Sequence, residues 1–122
     1  MLALSIRQPH IHHILYGDKV IEYRAWRTAP KFRGFIALHA GLTVDWDCVD
    51  DEDFVPDVGG ILGVARIHEA YLNGTKDVHI WLKDRKPLIK PIRYTGKLGF
   101  FPVVGEALTE LQRQLKLMRV KL

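Results

Sequence analysis

Apolar positions along this chain fall into short runs of two different periods. Residues 2–6 alternate weakly and are rich in Leu and Ile, which predicts a buried strand. Pro9 suits the opening turn of a helix, where its missing N–H costs nothing, and Ile11, Ile14 and Leu15 follow at helical spacing before Gly17. The spacing predicts a helix over 9–16 with its apolar stripe turned to the core. After Gly17-Asp18, residues 20–24 read as a strand in which Ile21 and Tyr23 point one way and Val20, Glu22 and Arg24 the other. A polar loop over 27–33 leads to a second apolar run at 35–40, opened by Gly34.

Downstream the pattern is mixed. Thr43 is placed to cap a helix over 44–53, with Asp45 and Asp47 in its first turn and Trp46 and Val49 facing inward. Gly59-Gly60 resets the chain, and residues 61–72 form a long β-branched run expected to be a central strand. Asn73-Gly74 marks a turn. Residues 75–86 carry no clear period. Pro87 and Pro91 bracket an extended segment of the kind found at sheet edges. A turn at 94–97 precedes a strand over 98–104 that Gly105 ends. Leu108, Leu111, Leu115 and Met118 then repeat at helical steps, with Glu106 and Glu110 early and Arg113, Lys116 and Arg119 late, as the helix dipole favours. Six short strands with helices at both ends predict an α+β fold: a small, mostly antiparallel β-barrel flanked by short helices and a C-terminal helix. The whole of residues 1–122 is expected to be one domain.

Composition narrows the function classes. At 48% hydrophobic and 26% charged residues the chain is an ordinary globular protein. It contains no apolar run long enough for a membrane span and no leader-like N-terminus, so a cytoplasmic protein without a membrane partner is expected. The lone Cys48 excludes an internal disulfide. The net charge of +4 is unevenly spread. Residues 45–57 hold Asp45, Asp47, Asp50, Asp51, Glu52, Asp53 and Asp57 and no Lys or Arg; with 18 basic residues against the seven remaining acids, the rest of the chain stands at +11. A basic body suits a polyanion, and the acidic segment is a candidate docking face for a protein partner.

Candidate chemistry concentrates between Ser5 and Ala40. Ser5 and Gln8 straddle the end of the first strand, Lys19 sits at the mouth of the following turn, Glu22 and Arg24 share one strand face, and Trp26 and Arg27 follow. Cations, a carboxylate, hydroxyl and amide groups and a flat indole can together hold a base edge, a ribose and a phosphate. His39, at a strand end near this unit, is a candidate hydrogen-bonding wall of the cleft.

The same residues resemble the ASCH domain family, a branch of the PUA-like β-barrel folds. The resemblance rests on Ser5 with Pro9, the Gly-x-Lys-x-x-Glu-x-Arg segment formed by Gly17, Lys19, Glu22 and Arg24, then Trp26, and the strand led by Arg33-Gly34. It implies a barrel with a cleft beside the first helix, lined by the 17–26 motif, and a role in RNA-linked processes. Within that family some members bind nucleic acid, some hydrolyse acetylated cytidine, and ribonuclease activity occurs. The hydrolase branch requires a Thr three residues after the motif Lys, where this chain has Glu22, and a downstream Glu, for which Glu69 is the candidate. A carboxylate does not replace a hydroxyl nucleophile in amide cleavage without a different mechanism.

Elsewhere, Lys83, Arg85, Lys86, Lys90, Arg93 and Lys97 form a second basic segment interleaved with Trp81 and Tyr94, a pattern that can track a nucleic-acid backbone. His10, His12 and His13 lack the partner spacing of a metal motif, and Cys48 has no basic neighbour to activate it. No cofactor fingerprint is present, and neither cofactor nor metal is expected. The sequence thus points to an RNA- or nucleotide-binding domain, with RNA or a nucleotide as the partner. The alternative is a small hydrolase of a modified nucleoside, or a ribonuclease, in which Lys19 and Glu22 would be catalytic.

Overall fold

The computed structural model describes all 122 residues. Strand β1 (Leu2–Gln8) leads into helix α1 (His10–Tyr16), followed by β2 (Ile21–Arg24) and β3 (Gly34–Val44). After a 3-10 turn (Trp46–Cys48) come β4 (Gly60–Leu72), β5 (Val78–Arg93), β6 (Phe100–Pro102) and helix α2 (Gly105–Leu117). The six strands make one sheet in the order β2-β5-β4-β3-β1-β6. All neighbours are antiparallel except β1 and β3, which run parallel with Ser5 opposite His39. No helix is long and apolar enough to cross a membrane.

Alternation along the central strands covers both faces of the sheet. Leu4, Ile6, Ile36 and Leu38 pack with Ile11, Ile14 and Leu15 of α1. Ala3 and Ala37 point the other way, into a cluster with Ile61, Val64, Phe101 and the buried Leu111 and Leu115 of α2. Ser5 and His39 share the parity of Ala3 and Ala37, and so emerge on the α2 face; both lie at the middle of their strands, not at the strand end foreseen for His39.

Two expectations need correction, and one stretch without a prediction is resolved. The sheet is not a closed barrel. Its edges, β2 and β6, do not pair with each other, and side chains span the gap instead: Trp26 packs on Phe100 at 5.7 Å, and the Arg24 guanidinium donates to the Ser5 carbonyl of β1. The helix foreseen over 44–53 is absent. β3 runs on to Val44 and only the single turn Trp46–Cys48 follows, leaving Trp46 exposed; on a helix Asp47 with Asp51 and Asp50 with Asp53 would be like-charged neighbours. Residues 78–86, which carried no clear period, belong to β5, whose alternation is broken at Asp84 by a backbone φ of 51°.

β5 as a whole lies inside the sheet, yet β2 covers only Val78 to Trp81, so the Pro87–Pro91 stretch behaves locally as an edge. There the buried Gln114 side chain replaces a strand. Its Oε1 accepts from the Lys90 N–H at 3.1 Å and its Nε2 donates to the Lys90 carbonyl at 2.9 Å.

Candidate functional site

Where α2 stops covering the sheet, a cleft of about 740 Å³ opens over Ser5 and His39. Its walls are Gly41, Leu42, Val58 and Gly59 on one side and residues 93–98 on the other. The parallel β1–β3 register sets Ser5 beside His39, and Ser5 Oγ lies 2.8 Å from His39 Nδ1. His39 Nε2 lies 2.6 Å from the Tyr94 carbonyl, an acceptor only, so Nε2 carries a proton, and in the neutral imidazole Nδ1 accepts from the Ser5 hydroxyl. His39 is only 2% exposed, and the edge of its ring meets Phe101.

The 94–98 loop is seated on this pair. Tyr94 stacks on Phe101, its hydroxyl donates to the Pro102 carbonyl at 3.1 Å, and it accepts from the Val104 N–H at 3.0 Å. Gly96 then approaches so closely that a Cβ there would lie 2.6 Å from both Ser5 Oγ and the His39 ring. The backbone N–H groups of Thr95, Gly96 and Lys97 are not taken up by other protein groups. Arg93 and Lys97 stand exposed on the rim, and neither forms an ion pair. Leu42 and Leu98 add exposed apolar surface, Leu98 being 99% exposed.

The foreseen residues divide between this cleft and other places. Ser5, His39, Arg93 and Lys97 line it; Gln8, Lys19, Glu22, Arg24, Trp26 and Arg27 do not. Glu22, 8% exposed, is held by Arg24 through Nε at 3.1 Å and Nη2 at 3.0 Å, and Arg24 reaches the site only through the Ser5 carbonyl. Trp26 is half-buried, with the Arg24 guanidinium 5.6 Å from its ring. Lys19 makes no ion pair with Glu22. Its ammonium lies 5.2 Å from the ring of Tyr23, a residue on the opposite face of β2 from Glu22 and Arg24. Gln8 is a brace, accepting from the His12 N–H and donating to the Asp57 carbonyl. Arg27 is exposed, and Glu69 is exposed and engaged by Arg33.

The second basic segment is also divided. Arg85 donates to the carbonyls of Ile14, Gly17 and Lys19 at 2.9, 3.1 and 3.0 Å, clamping the end of α1. Lys90 lies against α2, while Lys83 and Lys86 are exposed on β5 away from the cleft. Sequence reasoning missed the loop donors around Thr95 and Gly96, whose only signal was the 94–97 turn. It also missed an aromatic face formed where Tyr23 pairs with His79, which in turn pairs with Tyr71; this clustering follows from strand register alone.

No family model matches this sequence, and no curated protein sequence matches it. Solved structures do. The crystal structure of an ASCH protein from Zymomonas mobilis superposes with a TM-score of 0.62 at 15% identity, covering 92% of this chain and 93% of that one. A serine-to-alanine variant and a tyrosine-to-phenylalanine variant of the same protein give the same TM-score and identity, with 94% and 96% of their chains covered. That likeness covers 92% of this chain rather than a local motif, and the fold of this chain is accordingly that of an ASCH domain.

Proposed function

We propose that the chain binds RNA or a nucleotide in the cleft between β3 and the 94–98 loop. The observation that carries the reading is the pairing, in one cleft, of two unpaired rim cations with unclaimed hydrogen-bond donors and exposed apolar walls. Arg93 and Lys97 would meet phosphates. Thr95, Gly96 and Lys97 would offer backbone N–H groups to a phosphate or a base carbonyl, and Leu42 and Leu98 would pack on the base face. The Glu22–Arg24 pair would support the site from behind by fixing the Ser5 backbone.

Fluorescence titration of a labelled single-stranded RNA at a series of salt concentrations tests this. Saturable, salt-sensitive binding is expected, and the Arg93→Ala/Lys97→Ala variant should flatten the log K against log salt slope by about 1.4 units, about 0.7 for each phosphate left unneutralised. No saturable binding, or an unchanged slope in the variant, refutes it. The hydrolase reading draws on Lys19 and Glu22, which do not touch each other. Turnover of acetylated cytidine or RNA that disappears in Lys19→Ala would put that reading in place of binding.

A further inference from the structure

The end of the β1–β3 pairing creates a second cluster, on the far side of Gln8 from the cleft. Gln8 is opposite Val44, and the Asp45 N–H donates to the Gln8 carbonyl at 2.7 Å, so the residue after β3 is pinned beside the first turn of α1. His10 opens that helix, and its Nε2 comes within 3.1 Å of Asp45 Oδ2. The 3-10 turn, closed by the Cys48 N–H on the Asp45 carbonyl, brings Cys48 Sγ to 3.3 Å from the same carboxylate oxygen. The three donor atoms all lie within 4.8 Å of one another.

We propose that His10, Asp45 and Cys48 form a three-ligand site for a divalent zinc-type cation. A tetrahedral zinc ion bound to nitrogen, oxygen and sulfur sets its donors about 3.4–3.6 Å apart, so the observed spacings need adjustments of only tenths of an ångström on the two edges through Asp45. A mixed imidazole, carboxylate and thiol set suits zinc better than the oxygen-seeking calcium or magnesium. Three protein ligands leave the fourth position open to water. His10 and Asp45 are half-buried and Cys48 is exposed, so the cluster is reached from solvent. Asp47, Asp50 and Asp51 follow in the same segment without any nearby cation in sequence, and their charge favours a cation there. Without metal, Asp45 pushes the Cys48 thiol above its ordinary range, mainly by the hydrogen bond between them, and is itself held low by hydrogen bonds from His10 and Cys48. On binding, the thiol proton passes to solvent as the metal–sulfur bond forms.

The inference does not rest on RNA binding, and its test is separate. Cobalt(II) serves as the spectroscopic probe, titrated into the whole protein at neutral pH, and zinc is then added as competitor. One equivalent of cobalt should bind, with a thiolate-to-cobalt absorption band that zinc displaces. The band should vanish in Cys48→Ser, and affinity should fall about tenfold or more in His10→Ala. Zinc should also slow alkylation of Cys48, the chain's one cysteine, in the wild type but not in His10→Ala. Cobalt binding without a thiolate band, an unchanged band in the variants, or alkylation indifferent to zinc overturns the proposal. Both substitutions fall outside the core, so loss of the fold is not the expected cause of a lost signal.

Discussion

Gly96→Ala places one methyl group between the 94–98 loop and the Ser5–His39 pair. The new Cβ would lie 2.6 Å from His39 Cε1, 2.6 Å from Ser5 Oγ and 2.9 Å from His39 Nδ1, closer than real contacts allow. The obstructing atoms have little room. The His39 ring is wedged against Phe101 and tied at both nitrogens, so the loop must lift or the ring must tilt and break a hydrogen bond. Overpacking of this kind costs about 1–3 kcal/mol. Gly41 lines the same cleft and has nothing within 4 Å of an added Cβ, which makes Gly41→Ala the matched control. Urea unfolding should show a lower midpoint for Gly96→Ala at unchanged slope, with a melting temperature lower by about 3–6 °C for each kcal/mol. Gly41→Ala should stay within about 0.5 kcal/mol of wild type. RNA affinity should weaken in Gly96→Ala as the loop donors move. Equal stability for the two variants would show that the loop does not rest on Ser5 and His39.

The seam between β2 and β1 makes a second prediction: Arg24→Ala strands the buried Glu22 carboxylate and the Ser5 carbonyl, at a cost of about 2–4 kcal/mol by urea unfolding. Glu22→Leu/Arg24→Met should recover the part of that loss owed to the stranded carboxylate, since an apolar pair of similar volume needs no compensation there, while the Ser5 carbonyl still lacks the guanidinium. Removing the brace in Gln114→Leu leaves both backbone groups of Lys90 without a protein partner and should cost about 1–3 kcal/mol in the same assay. Glu110 is held down to about 2 from an ordinary 4.5, chiefly by its hydrogen bond from Arg113 and then by Gln114. Because the folded value is the lower one, Glu110 contributes its stability above pH 4.5 and loses it as pH falls towards 2. Melting temperatures from pH 5 to pH 2 should therefore fall less steeply in Glu110→Gln than in wild type.

Much of this fold was legible where one physical signal acted alone. The period of Leu108, Leu111 and Leu115 locates α2, and the apolar run at 35–40 locates the heart of β3. Errors arose where local pattern competed with tertiary pairing. The 44–53 segment has a capping residue and early acids, yet its apolar pair of Trp46 and Val49 is too small a face to hold a helix by burial. β5 was obscured because its two prolines and Asp84 break the alternation, and only the structure reveals that β2 and Gln114 each cover part of its open edge. In the site, the sequence marks Ser5 and His39 as separate candidates, and the β1–β3 register joins them. Glu22 and Arg24 share a strand face as alternation requires, but alternation does not reveal that they satisfy each other. Nor does it reveal that Arg85, to all appearance one cation in a basic run, closes three carbonyls at the end of α1. The His10–Asp45–Cys48 cluster joins positions 35 residues apart and was invisible to motif spacing for that reason.

Amide chemical shifts followed by NMR while a short single-stranded RNA is added to the protein test the central claim most directly. The largest changes should fall on Thr95, Gly96 and Lys97, with Ser5 and His39 moving in step and the whole set saturating together. Changes confined to the Tyr23–His79–Tyr71 face or to the exposed lysines of β5, with the 94–97 signals still, would contradict it.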